Sequence, residues 1–300
     1  MKINTIPAKR LLEIERLHLE RLSLQKKRKY VRNVFVYFFM IVLSAIFMLP
    51  IFWMLSTSLK LSAEIFAFPM EWLPDKAQWE NYTTAFSKYP LWQFMGNSAY
   101  LVVVSTIGQL ISVPLIAYGF ARFEFPGKNI LFLVMLSTLM IPSHIKYIPL
   151  YWAFDKIGLI GTYWPIILPE FFGHPFFIFL MTQYMRSIPK ELDEAARLDG
   201  ANSWQILLRI ILPLCKPVLA VIVVFSFLWN WNEFMAPLIF LDDFGEYPIS
   251  VGLAFFQSRY SVEWNLFMAA TLVSIVPILV LYFFAQRHLI GGLSAIGVKG

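Results

Sequence analysis

Six stretches of this chain are almost wholly apolar and reach the length of about 20 residues that a helix needs to cross a bilayer core. They are residues 34–57, 97–121, 130–151, 162–185, 217–240 and 264–285. The first is not read as a secretory signal: it exceeds the usual run of about 7–15 apolar residues, a long polar arm precedes it, and no small-residue cleavage site follows. Pro50, Pro114, Pro142, Pro165, Pro169, Pro175 and Pro237 fall inside these runs. Neighbouring helices can satisfy the carbonyls that a proline frees, so the prolines predict kinks rather than span ends. The pattern predicts an all-α polytopic membrane protein with six transmembrane helices.

Composition agrees with that reading. Hydrophobic residues make up 58% of the 300 positions and charged residues 15%, against about 45–50% and 25% in soluble domains. Aromatics reach 17%, which suits a protein whose Trp and Tyr anchor at membrane interfaces. The single cysteine, Cys215, excludes an intrachain disulfide and a multi-cysteine metal site. A net charge of +6 invites a nucleic-acid partner, but the basic residues follow the spans instead. Nineteen of the 25 Lys and Arg fall on one side, five (Lys60, Lys76, Lys88, Lys156 and Arg259) on the other, and Lys146 within a span. The positive-inside rule then puts both termini in the cytosol and excludes nucleic acid as a partner.

The organisation expected is a basic cytosolic arm at 1–33, a six-span membrane domain at 34–285 with a cytosolic loop at 186–216, and a cytosolic tail at 286–300. Within the arm, residues 11–24 mix Leu and Ile with Glu and Arg, the pattern of a helix at headgroup level. The external segments 60–95 and 241–263 are the other long connections; Trp72, Trp79 and Trp92 suit the first to the outer interface. No internal repeat, low-complexity tract or soluble domain is evident.

Enzyme chemistry finds no support. There is no G-x-x-x-x-G-K-[ST] loop, no H-E-x-x-H, no G-x-S-x-G and no Cys/His cluster, and His18, His144, His174 and His288 are scattered. Any ATP hydrolysis would belong to another chain. Ionisable groups inside the spans are functional candidates because each costs at least about 2.5–3.5 kcal/mol near the bilayer centre. Lys146, Glu170 and Glu233 qualify, with His144 and His174 as weaker cases. All three lie at similar depth in the outer half, which permits a Lys146–Glu170 or Lys146–Glu233 pair, or a polar lining of a translocation path.

The 186–216 loop carries the most specific signal. Pro189, acidic residues in a first turn and Gly200 as a cap predict a short amphipathic helix, with Leu192, Ala195 and Ala196 on one face. A second helical run places Trp204, Leu207, Leu208 and Ile211 on one side and is expected to stop at Pro213. Such a pair suits either docking to a partner or an unpartnered interfacial helix–turn–helix. Its residues Glu194-Ala195-Ala196, then Gly200, then Ile210-Ile211-Leu212-Pro213, meet every spacing of the signature loop of bacterial ABC-importer permeases. Residues 94–98, 142–151, 229–238 (WNWNEFMAPL) and 286–300 resemble the smaller, maltose-type permease of carbohydrate importers. Ile296 departs from that family's ending, where glycine is usual, and the arm before Tyr30 lies outside the resemblance.

The resemblance implies a type I ABC importer permease fold in the bacterial cytoplasmic membrane, importing a sugar or oligosaccharide. It implies that Glu194, Ala195, Ala196, Asp199 and Gly200 form the helix that couples to the ATPase. His144, Lys146, Glu170, Asn232 and Glu233 are the candidates for the path or for an intramembrane pair. Implied partners are a second, non-identical permease, two ATPase copies, an extracytoplasmic binding protein and membrane lipid. ATP and Mg²⁺ are expected on the ATPase, with no cofactor and no metal on this chain. A permease for another solute, or an ion-driven secondary transporter, are the competing readings.

Overall fold

The structure, a computed structural model, describes residues 8–257 and 262–297, without the side chains of 8–28, 31, 143 and 287–297. The outer-side assignment of Arg259, the start of the arm and the last three residues of the tail lie outside the described residues. The chain divides into two compact units, Met1–Ser56 and Thr57–Gly300. The described part of the first unit is helical, and its helix, α1 (Ala8–Ser58), runs on to Ser58 without interruption. The separate headgroup helix expected at 11–24 is therefore continuous with the first apolar run. The reason is local: no Gly or Pro occurs between Ala8 and Pro50, so nothing breaks the ladder.

The second unit contains α2 (Glu80–Lys88), α3 (Leu91–Arg122), α4 (Lys128–Ser137), α5 (Ser143–Lys156), α6 (Trp164–Ile167), α7 (Pro175–Ser187) and α8 (Glu191–Leu198). There follow α9 (Ser203–Ile206), α10 (Leu212–Leu214), α11 (Lys216–Asn232), α12 (Met235–Phe240), α13 (Ile249–Ala254) and α14 (Trp264–Gly297). Among the described residues the only β-pairing is an isolated bridge between Gln257 and Val262. Four helical stretches are long and apolar enough to span a membrane: Arg32–Ser58, Leu91–Arg122, Trp164–Ser187 and Trp264–Gln286. Two bent pairs bring the number to six when each counts as one span.

The bent pairs correct the proline reading. Lys128–Met140 and His144–Lys156 meet at 105° around Pro142, so this proline ends one helix inside a bent span rather than kinking a continuous one. Ile141, just before it, is extended at φ −82, ψ 119, as the clash with a following proline ring demands. Pro50 and Pro114 lie inside helices as expected. Pro213 does not stop its helix; a wide π turn over Leu207–Ile211 precedes it and the helix continues to Leu214. The wider turn accommodates a ring that a tight α ladder would not. The real break follows at Cys215, where Ser203–Leu214 and Lys216–Asn232 meet at 77°.

Three apolar clusters hold this unit together. One joins the Arg122 end of α3 to α7, α8 and α11 through Val113, Ala117, Met181, Ala196, Ile206 and Val218. A second gathers Leu91, Phe94, Trp231, Ile249, Phe256 and Leu266. The third packs Leu101, Phe154, Ile167 and Phe240. The 60–95 segment is anchored by polar groups: Lys60 is buried and donates to the Glu71 carbonyl, while the Asn81 amide donates to the Ser58 and Lys60 carbonyls. Asn265 of α14 donates in turn to Asn81 at 3.1 Å.

Candidate functional sites: a capped surface helix and a polar cavity

Helix α8 ends as its sequence dictates. Gly200 takes φ +85, a left-handed conformation that suits glycine. Its N–H bonds the Arg197 carbonyl at 3.0 Å and the Ala201 N–H bonds the Ala196 carbonyl at 2.9 Å, the two bonds of a Schellman ending. Asn202 then starts α9 in a reciprocal capping box with Gln205, both bonds 2.9 Å. Glu194, Ala195, Asp199 and Gly200 lie on the exposed side of this turn, together with Leu198, which is 90% exposed.

The buried face of α8 differs from the expected one. Leu192 and Ala195 are exposed, and the residues turned inward are Ala196 and Asp193. Hydrophobicity placed the aspartate on the polar face; its partner explains the difference. Asp193 Oδ2 lies 2.9 Å from Arg122 Nε, and the two side chains are 5% and 3% exposed. Arg122 also donates from Nη2 to the Ile188 carbonyl at 3.1 Å, and Arg186 donates back to the Phe120 carbonyl at 3.4 Å. The ends of α3 and α7 are thus cross-tied, with each arginine satisfying a carbonyl beyond its own helix. Sequence reading had counted Arg122 only as a topological charge.

A cavity of about 460 Å³ lies between α3, α5, α7, α11 and α12, and Lys146, Glu170, His174 and Glu233 all line it. The expectation of a common level for the three charged groups therefore becomes a shared cavity. The backbone around Glu170 is irregular: a 3₁₀ turn over Leu168–Phe172, then Gly173 at φ +81, then His174 capping α7. Such backbone needs protein partners at membrane depth. Gln109 of α3 supplies them, donating to the Glu170 carboxylate and accepting the His174 N–H at 2.9 Å. Ser112 adds a 3.4 Å bond to the Glu170 carbonyl, and Gly108 lets Phe171 approach where a Cβ would collide.

Glu233 occupies a second interruption, between α11 and α12. Its Oε1 accepts the Ala236 N–H at 3.0 Å, capping α12, and the Tyr147 hydroxyl at 3.3 Å. Ser250 donates to the Glu233 carbonyl at 2.6 Å. Aromatic rings form one wall, with Trp229 stacked on Phe177 at 4.9 Å and 16° and within 5.0 Å of the His174 ring. Lys146 is exposed towards the cavity and forms no ion pair with either carboxylate. His144 is exposed, edge-on to Tyr147 at 6.0 Å, and does not line the cavity. Asn232 lines a different pocket, with Trp231, Gln257 and Thr271. Gln109 was missed by sequence reading, although an amide in the middle of an apolar span is itself a signal. Among the described residues no group of His, Cys, Asp or Glu could hold a metal ion.

Comparison with known proteins places this architecture. Residues 111–294 match the family of binding-protein-dependent transport system inner membrane components. The diacetylchitobiose uptake system permease protein NgcG of Streptomyces coelicolor is 33% identical over 258 residues, 85% of each chain. The probable ABC transporter permease protein YurM of Bacillus subtilis is 32% identical over 296 residues, 97% of each chain. The maltose/maltodextrin permease MalG of Yersinia pestis is 30% identical over 295 residues, 92% of this chain and 96% of its own. A chain from the crystal structure of a bacterial ABC transporter that imports the acidic polysaccharide alginate superposes with a TM-score of 0.73. It covers 95% of this chain and 99% of its own at 22% identity, a likeness of fold. The matched region contains α8, the cavity carboxylates and the Arg122–Asp193 pair, and the relatives extend the match along nearly the whole chain. This chain is accordingly a member of the binding-protein-dependent transport system inner membrane component family of ABC permeases.

Proposed function

We propose that this permease carries a sugar or oligosaccharide inward as one half of a translocation path, with α8 docked on a separate ATPase subunit. The observation that carries the reading is the complete α8 turn, Glu194 to Gly200, exposed except at Ala196, in a chain about a third identical to sugar-uptake permeases. The complex comprises a second, non-identical permease, two ATPases on the cytosolic side and an extracytoplasmic binding protein, with both termini cytosolic. ATP and Mg²⁺ bind the ATPase, and this chain performs no covalent chemistry. Closure of the ATPase pair moves α8 and rocks the spans outward-open; opening returns them. The cavity of Lys146, Glu170 and Glu233, with Trp229 and Phe177 as an apolar wall, belongs to the path, where flat rings and hydrogen-bonding groups suit a sugar face and its hydroxyls. The test is oligosaccharide uptake in cells together with retention of the ATPase on the purified permease. Gly200→Pro should abolish uptake while the chain still inserts; full uptake by that variant would falsify the docking assignment.

One observation favours a narrower substrate. Among the described residues Lys146, which lines the cavity, has no ion-pair partner, while Glu170 is engaged by Gln109 and Glu233 by Tyr147 and the Ala236 N–H. An unpaired ammonium there suits the carboxylate of an acidic sugar through a charge-assisted bond. Lys146→Met should then depress uptake of acidic oligosaccharides selectively. Equal loss for neutral and acidic ones, or rescue by also removing the Glu170 carboxylate, assigns Lys146 to structure.

A further inference from the structure

We propose that the buried Arg122–Asp193 pair is the strut that carries movement of α8 into the second span, α3, making both side chains positioning residues for coupling. The inference rests on the reading that α8 docks on the ATPase.

The argument begins with connectivity. Helix α8 is joined covalently only to α7 and α9, through the short links at 188–190 and 199–202. The end of α3 lies 71 residues earlier in the chain than Asp193, so any displacement of α8 reaches α3 through non-covalent contacts alone. The apolar cluster at this end includes Val113, Ala117, Ile188, Ala196 and Ile206. Apolar contacts are non-directional and allow helices to slide. The ion pair adds an attraction between opposite charges that resists their separation. Its 2.9 Å contact lies inside the packed end of the bundle, with both side chains at most 5% exposed, so water cannot replace it at low cost. The same guanidinium grips the Ile188 carbonyl at 3.1 Å, just ahead of α8, so one side chain holds both the helix and its entry link.

What α3 does midway along its length gives the link a purpose. Gln109 lies 13 residues before Arg122 on the same helix, roughly 20 Å along the axis at 1.5 Å per residue. It holds the Glu170 carboxylate and the His174 N–H at the cavity. A pull on Arg122 therefore reaches the interrupted backbone of the fourth span through one helix. A pair kept for stability alone would have no such requirement, because a buried ion pair can often be exchanged for apolar residues of similar volume without loss of stability.

That difference supplies the experiment. The complete transporter, with its second permease, ATPase and binding protein, is reconstituted in vesicles carrying wild-type chain, Arg122→Met/Asp193→Leu, or the exchange Arg122→Asp/Asp193→Arg. ATPase retention, ATP hydrolysis and sugar moved per ATP are measured. The apolar double variant should retain the ATPase and hydrolyse ATP, yet move about tenfold less sugar per ATP, within the range of coupling free energies between sites. The exchanged pair should recover part of that loss. Wild-type sugar per ATP in the apolar double variant would overturn the strut and leave the pair as packing. Should that variant not assemble, Arg122→Lys decides, since it keeps the charge but loses the fork that grips Asp193 and Ile188 together. An unchanged ratio there overturns the proposal, and a fall supports it. Failure of the docking reading would show separately, as a wild-type chain that does not retain the ATPase.

Discussion

At the scale of single residues, the polar groups inside the membrane matter most through what they organise. Gln109 is 1% exposed, and its amide serves two partners that would otherwise be orphaned, the Glu170 carboxylate and the His174 N–H. Gln109→Leu leaves both unsatisfied, at a cost of about 1–3 kcal/mol for each neutral group and more for a charge. The purified permease should lose several degrees of Tm, and Gln109→Leu/Glu170→Leu should regain part of it because no buried carboxylate then lacks a partner. A double variant no more stable than the single would contradict this account. The residue types were visible in the sequence, but the pairing was not. Glu170 looked equally able to meet Lys146, and only the fold shows that Gln109 reaches it.

At the scale of elements, the short helices are written almost completely in their own sequence. The cap at Gly200 and the acidic first turn of α8 are local chemistry, and they form where expected. The buried face of α8 was misread because Asp193 owes its burial to Arg122, a residue on another helix. A comparable cross-tie links α2 to the segment before α14, where Lys88 Nζ meets Glu263 at 2.5 Å. The hydrogen bond to Glu263, and to a lesser degree its charge, raise the Lys88 pKa, against a lowering by partial burial. A raised lysine pKa stabilises the folded form below the unfolded value of about 10.4, and that contribution disappears as pH rises through the folded value. Hydrogen exchange at α2 should therefore accelerate above about pH 10, and Lys88→Met should remove that alkaline step while acting as if already past it at neutral pH. An identical alkaline profile in the variant would reject the tie. Both side chains are over a third exposed, so the effect is confined to local opening.

At the scale of the whole molecule, the permease is six hydrophobic crossings of unequal construction. Three are continuous helices, Trp164–Ser187 is helical but interrupted at Gly173 and His174, and two are bent, at Pro142 and at Cys215. The bends and the two interruptions at Glu170–His174 and Glu233–Phe234 bring polar backbone and side chains to one cavity. A chain with this construction and no phosphate-cradling loop is predicted to hydrolyse no ATP alone. A single-subunit preparation assayed with and without Mg²⁺ checks this. Uptake in vesicles should likewise require the ATPase and the second permease, and transport by the lone chain, driven by an ion gradient, would favour a secondary transporter instead.

The apolar runs by themselves determined the class, because a bilayer leaves a 20-residue hydrophobic segment few alternatives to a helix. The spacing of Glu194, Ala195, Ala196 and Gly200 likewise determined the capped turn, because helix ends are satisfied by neighbours within a few residues. Tertiary structure alone decided where the spans break, since a proline is absorbed as a kink or becomes an end according to what surrounds the freed carbonyls. Pro114 and Pro142 took opposite courses. It alone decided the partners of Asp193, Glu170 and Glu233 as well. Each of these carboxylates is held by groups far away in the chain, and which groups reach it depends on which distant helices pack together.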